Sequence, residues 1–312
     1  MVCQYIEGLV SVVIPTYKRA AMLARAVDSV LNQTYKNIEV LVINDNDPGD
    51  EHTKALKEIL PQYTDKRLIY VEQNMHINGA VARNVGIKMA CGEYIAFLDD
   101  DDCWESEKIE KQVSVLRELD DSWGGVSCRK KIFFGGKMVK ASLPYKDGNV
   151  FEHVLLRNVE ITTGTLLMRR KALDDAGYFD EKLIRYQDVQ LFAYFTQKYK
   201  IKLMNDFFLC AHIDDNSNRL NPQKMVIAKK YFFESVKPLM DNLPRKKQTR
   251  VYIMHQFDIG LAMIKHGERK SGVRELVCIA KNPVTAFYAI KKTLVKIVET
   301  KLCSFIVYLG EK

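Results

Sequence analysis

Four consecutive carboxylates, Asp99 to Asp102, follow directly on the apolar run YIAFL. Converging like charges repel, and at least one is pushed toward its neutral form unless a cation intervenes. Mg²⁺ and Mn²⁺ favour carboxylate and water ligands and bridge protein to substrate phosphates. Asp99 and Asp101 stand two apart, so on an extended backbone they face the same way, as a DxD pair able to share a metal and a pyrophosphate. A solvated acidic loop is the plainer meaning of such a run; its place after a buried strand favours the metal. Aspartyl-phosphate phosphatases also begin with a strand and DxDx, but on the leading strand. Here the run ends the fourth strand and continues into Cys103 and Trp104.

The elements that must carry these residues alternate between two periods. Residues 10–14 (VSVVI), 38–43 (IEVLVI), 68–71 (LIYV) and 94–98 (YIAFL) read as buried strands, and 20–31, 52–60 and 80–90 as helices between them. Near-continuous apolar strands alternating with helices predict an α/β fold with a parallel sheet covered on both faces. Ligands of such sheets sit beyond the carboxyl ends of the strands. There the chain places PTYKR, NDND, the long polar loop before NGAVARNVG, and DDDD. Further on, a helix is expected over 105–119, short β pieces around Gly135-Gly136, and a strand over 161–169. Helices over 171–176 and 188–199 and a strand over 202–211 follow, and the pattern is helical and basic from about Asn221.

Together these segments resemble family 2 of the glycosyltransferases with the GT-A fold. The resemblance runs from VSVVIPTYKR through LVINDND, NGAVARNVGIKMACGEYIAFLDDDDCW, TTGTLLMRRKAL and GYFDEKL to the segment around Asp188, over about residues 9–218. It implies a Rossmann-like, mostly parallel central sheet flanked by helices. It also implies transfer of a sugar from a nucleotide-diphosphate donor to a hydroxyl, with inversion and with Mn²⁺ or Mg²⁺; a UDP-sugar is the expected donor. Carried over residue by residue, it gives Pro15, Thr16 and Tyr17 to the nucleoside loop, with Tyr17 on the base, and Asp45 to the base as acceptor. Arg83 and Asp100 join the donor site, Asp99 and Asp101 hold the metal, and His212 is a further metal or diphosphate contact. Asp102 is assigned to acceptor binding or to stabilising the loop. Asp188 is the catalytic base. The family usually shows Glu-Asp there, whereas this chain has Gln187-Asp188. The QxxRW motif of processive members is absent.

Composition narrows the class. The chain is 47% hydrophobic and 28% charged, a globular balance that excludes disordered and collagenous types. Its seven cysteines are scattered with no CxxC pair, and read as free thiols of a reducing cytosol. No signal peptide and no 18-residue apolar span is read, so a cytoplasmic protein is expected. Residues 1–218 hold 28 Lys+Arg against 32 Asp+Glu, whereas 219–312 hold 19 against 7. This divides the chain into a catalytic domain, 1–218, and a basic helical extension, 219–312. Within the first, about 1–104 form the nucleotide-binding half and 105–218 the acceptor half.

Over 284–309 an amphipathic helix sets Phe287, Ile290, Leu294, Ile297, Val298 and Phe305 apart from Lys291, Lys292 and Lys296. It suits either an anionic membrane surface or the enzyme's own flank. The membrane option fits a lipid-linked oligosaccharide acceptor in bacterial surface polysaccharide synthesis; a free glycan is the other acceptor. No nucleic-acid module is present. Two alternatives to a transferase stand open. One is a sugar-nucleotide nucleotidyltransferase, which would need a Gly-rich basic loop where PTYKR lies. The other is a non-catalytic nucleotide- or membrane-binding relic, favoured only by Gln187.

Overall fold

The structure, a computed structural model, describes residues 5–213 and 221–280, with the helical positions 286, 287, 290, 293 and 294. The first half runs β1 (Ile6–Thr16), α1 (Ala20–Leu31), β2 (Ile38–Asn44), α2 (Glu51–Ile59), β3 (Leu68–Glu72), α3 (Gly79–Met89) and β4 (Gly92–Phe97). The four strands are parallel, in the order β3-β2-β1-β4. Alternate residues face opposite sides, which is why the strands read as unbroken apolar runs. Val12 and Ile14 of β1 pack under α1 and α2, and Val13 faces the other layer. The stripe Leu23, Ala26, Val27 and Val30 buries one side of α1. Gly86 lets α3 cross β1 closely, since a Cβ there would lie 2.4 Å from Val13 Cγ1.

The parallel run stops at β4. The chain continues through β5 (Cys103–Trp104), α4 (Lys108–Arg117), β6 (Trp123–Phe134), β7 (Lys137–Ala141), α5 (Phe151–Leu155), β8 (Leu166–Arg169), α6 (Arg170–Ala176), α7 (Gln187–Lys198) and β9 (Lys200–Ile213). The sheet extends as β4-β8-β6-β9-β5, with β8 antiparallel to β4 and β6, β9 parallel to β6, and β5 antiparallel to β9. The central sheet is therefore mixed in its second half. The strand expected over 161–169 divides. The Thr165 hydroxyl accepts from the Thr162 N–H at 3.0 Å and donates to its carbonyl at 2.9 Å, winding Thr163–Thr165 into a 3-10 turn before β8. Neither α5 nor β5 was foreseen, because five and two residues are too short to show a period.

Among the described residues, α8 (Pro222–Ser235), α9 (Lys237–Asp241), α10 (Arg245–Lys265) and α11 (Arg269–Ala280) follow. Phe232, Val236, Leu239, Met240, Val251 and Met254 share one hydrophobic cluster with Leu155, Phe192 and Phe195 of the preceding region. The His255 ring reaches the Leu155 carbonyl at 2.9 Å, and the Tyr194 hydroxyl donates to the Ser235 carbonyl at 2.8 Å. Thus 221–280 and the preceding α/β region bury their apolar surface together. The amphipathic stretch over 284–309 lies mostly outside the described residues; Phe287, Ile290 and Leu294 are exposed. Among the described residues, no helix is long and apolar enough to cross a membrane.

Candidate active site

Strand order decides what meets at the carboxyl edge, because β1, β2 and β4 end side by side. An open cleft of about 410 Å³ lies there, lined by Pro15, Thr16, Tyr17, Asp45, Arg83, Asp99, Asp100 and Asp188 among others. Eight of the eleven residues singled out in the sequence therefore share one cavity; Asp101, Asp102 and His212 stand outside its lining.

Each wall is held by bonds that short motifs do not reveal. After β1 the Lys18 backbone turns left-handed (φ 58°), and its N–H donates to Asn46 Oδ1 at 2.8 Å, coupling the first and second strand ends. Tyr17 stacks on His76, with ring centroids 3.9 Å apart. Asp45 is 2% exposed; Gln73 donates to its Oδ1 at 2.9 Å, and His76 Nδ1 lies 3.1 Å from Oδ2. Burial raises the Asp45 pKa above the usual carboxylate value, against the Ile77 N–H and His76. Asn78 caps α3 by accepting from Ala80 and Val81 N–H, and Arg83 stands one turn further on. Arg83 Nη2 donates to Asp99 Oδ1 at 2.6 Å, and its Nη1 to Gln187 Oε1 at 3.4 Å.

The carboxylate loop is not extended. The Asp102 N–H donates to the Asp99 carbonyl at 3.1 Å, closing a turn. This turn, rather than strand alternation, brings Asp99, Asp101 and Asp102 together, with a carboxylate oxygen of each within 4.8 Å of the others. Asp100 points elsewhere, accepting from the Tyr17 N–H at 3.3 Å and from Arg19 Nη1 at 3.3 Å. Arg19 also donates to Asp101 at 2.5 Å, and Arg25 to the Asp101 carbonyl.

Burial pushes Asp100 up to about 6, with Asp99 and Asp101 adding to it and the Thr16 hydroxyl and Arg19 opposing. Burial, then the Asp99 and Asp101 charges, likewise raise Asp102. Crowded hard oxygen donors whose own charges disfavour ionisation fit a small divalent cation. The floor beneath is firm. Trp104 Nε1 donates to the Gly164 carbonyl at 2.9 Å, and the buried Lys108 ammonium sits 3.8 Å from the Trp104 ring centroid.

His212 touches this cluster through its main chain: its N–H donates to Asp102 Oδ1 at 2.9 Å. Its ring stacks on Phe133, with Nε2 3.8 Å from Cys103 Sγ. Asp188 occupies the first turn of α7, where its Oδ1 accepts from the Val189 N–H at 2.8 Å. The left-handed Tyr186 (φ 63°) sets the entry into that helix. Gln187 accepts from Arg83 and donates through Nε2 to the Leu183 carbonyl at 2.5 Å, a donation no carboxylate makes. Arg19, Gln73, His76 and Arg185 were not singled out as site residues. PTYKR contains Arg19, but its carboxylate partners lie more than 80 positions away.

Comparison with known proteins bears on the family and the fold. The chain is 34% identical over 189 residues to the uncharacterized glycosyltransferase RC0461 of Rickettsia conorii, covering 59% of this chain and 30% of that protein. It thus spans under a third of that relative's length. Identity is 29% over 207 residues with the Escherichia coli protein WfgD, named a UDP-Glc:alpha-D-GlcNAc-diphosphoundecaprenol beta-1,3-glucosyltransferase (66% of this chain, 76% of WfgD). It is 30% over 190 residues with the amylovoran biosynthesis glycosyltransferase AmsB of Erwinia amylovora (58% and 62%).

In structure, it matches S. aureus TarS 1-349 in complex with UDP-GlcNAc, with TM-score 0.58 and 18% identity over 81% of each chain. It also matches the mannosyltransferase PcManGT of Pyrobaculum calidifontis, in complex with GDP-Man and Mn2+. There the TM-score is 0.59 and identity 16%, over 96% of this chain and 84% of that one. These likenesses establish the fold as GT-A. The model of Glycosyl transferase family 2 matches residues 11–177, and the chain belongs to that family.

Proposed function

We propose that the chain is an inverting, metal-dependent glycosyltransferase. It moves a sugar from a nucleotide-diphosphate donor, a UDP-sugar first, to a hydroxyl of a glycan or lipid-linked acceptor in bacterial surface polysaccharide assembly. The observation that carries this is the convergence of Tyr17, Asp45, Arg83, Asp99 and Asp188 on one cleft at the carboxyl edge of the sheet. The names of WfgD and AmsB point to the same class of acceptor and pathway.

In this reading Tyr17 and Asp45 receive the base, and Arg83 faces the diphosphate. Asp99 and Asp101, with Asp102 beside them, would hold Mn²⁺ or Mg²⁺, and His212 keeps Asp102 in register from β9. A cation held there would supply neutralisation of the charge that grows on the departing diphosphate. Asp188 accepts the acceptor hydroxyl's proton as that oxygen attacks the anomeric carbon from the side opposite the diphosphate. A single displacement needs one carboxylate base, not the acid–base pair of a glycoside hydrolase. Gln187 accepts from Arg83 at 3.4 Å, a structural use for the amide that supports reading Asp188 as the base beside it.

The test is a calorimetric screen of nucleotide sugars with and without Mn²⁺, followed by product analysis. Binding of one donor that strengthens with Mn²⁺ supports the reading; no binding by any donor overturns it. The exposed Phe287, Ile290 and Leu294 support docking of the amphipathic 284–309 stretch on an anionic membrane. Failure to co-sediment with anionic phospholipid vesicles at physiological salt overturns that part.

A further inference from the structure

A second cavity, also of about 410 Å³, lies against the first, and Asp188 lines both. Its inner wall is Phe192 and Val189 of α7 and the segment before the 3-10 turn. Its outer wall is Met225 of α8 with Leu261 and Ala262 of α10. The helices of the basic extension therefore close a chamber that opens onto Asp188.

The lining balances three cations, Lys130, Arg157 and Lys265, against three carboxylates, Glu160, Asp188 and Asp258. Lys130 pairs with Glu160 at 3.2 Å, and Arg157 with Asp258 at 3.2 Å. Asp258 is also 3.6 Å from the buried Lys229, and Arg157 lies over the Tyr186 ring at 5.0 Å. The ion-paired groups are anchored, so they present fixed donors and acceptors to the cavity. Paired carboxylate and guanidinium groups beside apolar patches suit a ring with hydroxyls on its edge and C–H bonds on its faces. The volume falls in the roughly 300–1,000 Å³ range of pockets that enclose small organic ligands.

We propose that this cavity is a subsite for the acceptor pyranose, with α8 and α10 as its outer wall, so that the extension selects the acceptor sugar. The proposal rests on Asp188 as the base. A hydroxyl held in this chamber meets Asp188 on one side and the donor sugar on the other. The acceptor's diphosphate or lipid lies beyond the cavity mouth.

Saturation-transfer NMR of the full chain tests it, with a panel of para-nitrophenyl pyranosides and with UDP and GDP in the presence of Mn²⁺. Ala262→Phe and Met225→Trp fill the cavity from two helices of its outer wall, and neither position lines the donor cleft. The expected result is a pyranoside signal from the wild type that both variants lose, while the nucleotide signal persists and shows them folded. In transfer assays the acceptor KM rises by at least about tenfold, or about 1.4 kcal/mol, with the donor KM unchanged. Variants that bind and glycosylate pyranosides like the wild type overturn the proposal. So does a wild type that binds nucleotide but no pyranoside. A wild type that binds no nucleotide removes the transferase reading itself, and this inference with it.

Discussion

Asp188→Asn separates charge from shape at the proposed base. The Asp188 Oδ1 that accepts the Val189 N–H at 2.8 Å has an equivalent in asparagine, so the local bond survives. The helix loses one favourable carboxylate–dipole interaction, about 0.3–1 kcal/mol. For a chain of this size, that lowers the melting temperature by no more than about 4 °C. What disappears is proton acceptance. A positioned general base contributes about 10²–10⁴-fold, which is about 2.7–5.4 kcal/mol of barrier. Nucleotide release coupled to product formation reads the rate, and calorimetry with nucleotide and Mn²⁺ reads donor affinity on the same sample. The expected pattern is a rate down by at least about a hundredfold with donor affinity unchanged. A variant within about tenfold of the wild-type rate refutes Asp188 as the base. Equal loss of rate and nucleotide binding shows instead that Asp188 shapes the donor cleft.

Asp101→Ala removes one carboxylate from the cluster and leaves Arg19 with Asp100, so Mn²⁺-dependent nucleotide binding should weaken by at least about tenfold. Calorimetry checks this, and unchanged affinity counts against the metal assignment. Asp100, raised from 3.8 to about 6, stays protonated in the folded chain over a range where the unfolded chain releases the proton. Metal-free stability therefore falls as pH rises from about 4 to about 6, by about 3 kcal/mol at most, and the cost persists above that window. Asp100→Asn should raise the metal-free melting temperature at neutral pH and flatten this dependence; a parental pH profile in the variant would contradict it. Gly86→Ala forces a Cβ to within 2.4 Å of Val13 Cγ1. Overpacking by about 1–3 kcal/mol outweighs the roughly 1 kcal/mol gain in helix propensity, so thermal melting should show a net loss.

Local pattern was enough for the first half of this chain. Alternation of apolar runs with 3.6-residue stripes located all four parallel strands and the helices between them. Polar strand ends marked the segments PTYKR, NDND and DDDD and the loop entering NGAVARNVG, and the resemblance to family 2 glycosyltransferases assigned Tyr17, Asp45 and Arg83 within them. These are short-range signals, since period and strand-end position are properties of neighbouring residues. Tertiary structure decided the rest. The Asp99 carbonyl and the Asp102 N–H close a turn that adds Asp102 to the metal-type cluster and sends Asp100 to Arg19. The His212 ring stacks on Phe133, because β9 pairs with β6 and presents only its main chain to Asp102. His76 joins Asp45 and Tyr17 from a loop whose sequence has no period. The chamber beyond Asp188 exists because α8 and α10 return to pack on α5 and α7. Such contacts join residues up to about a hundred positions apart, and their geometry depends on strand order and shared core packing, which one-dimensional spacing does not encode.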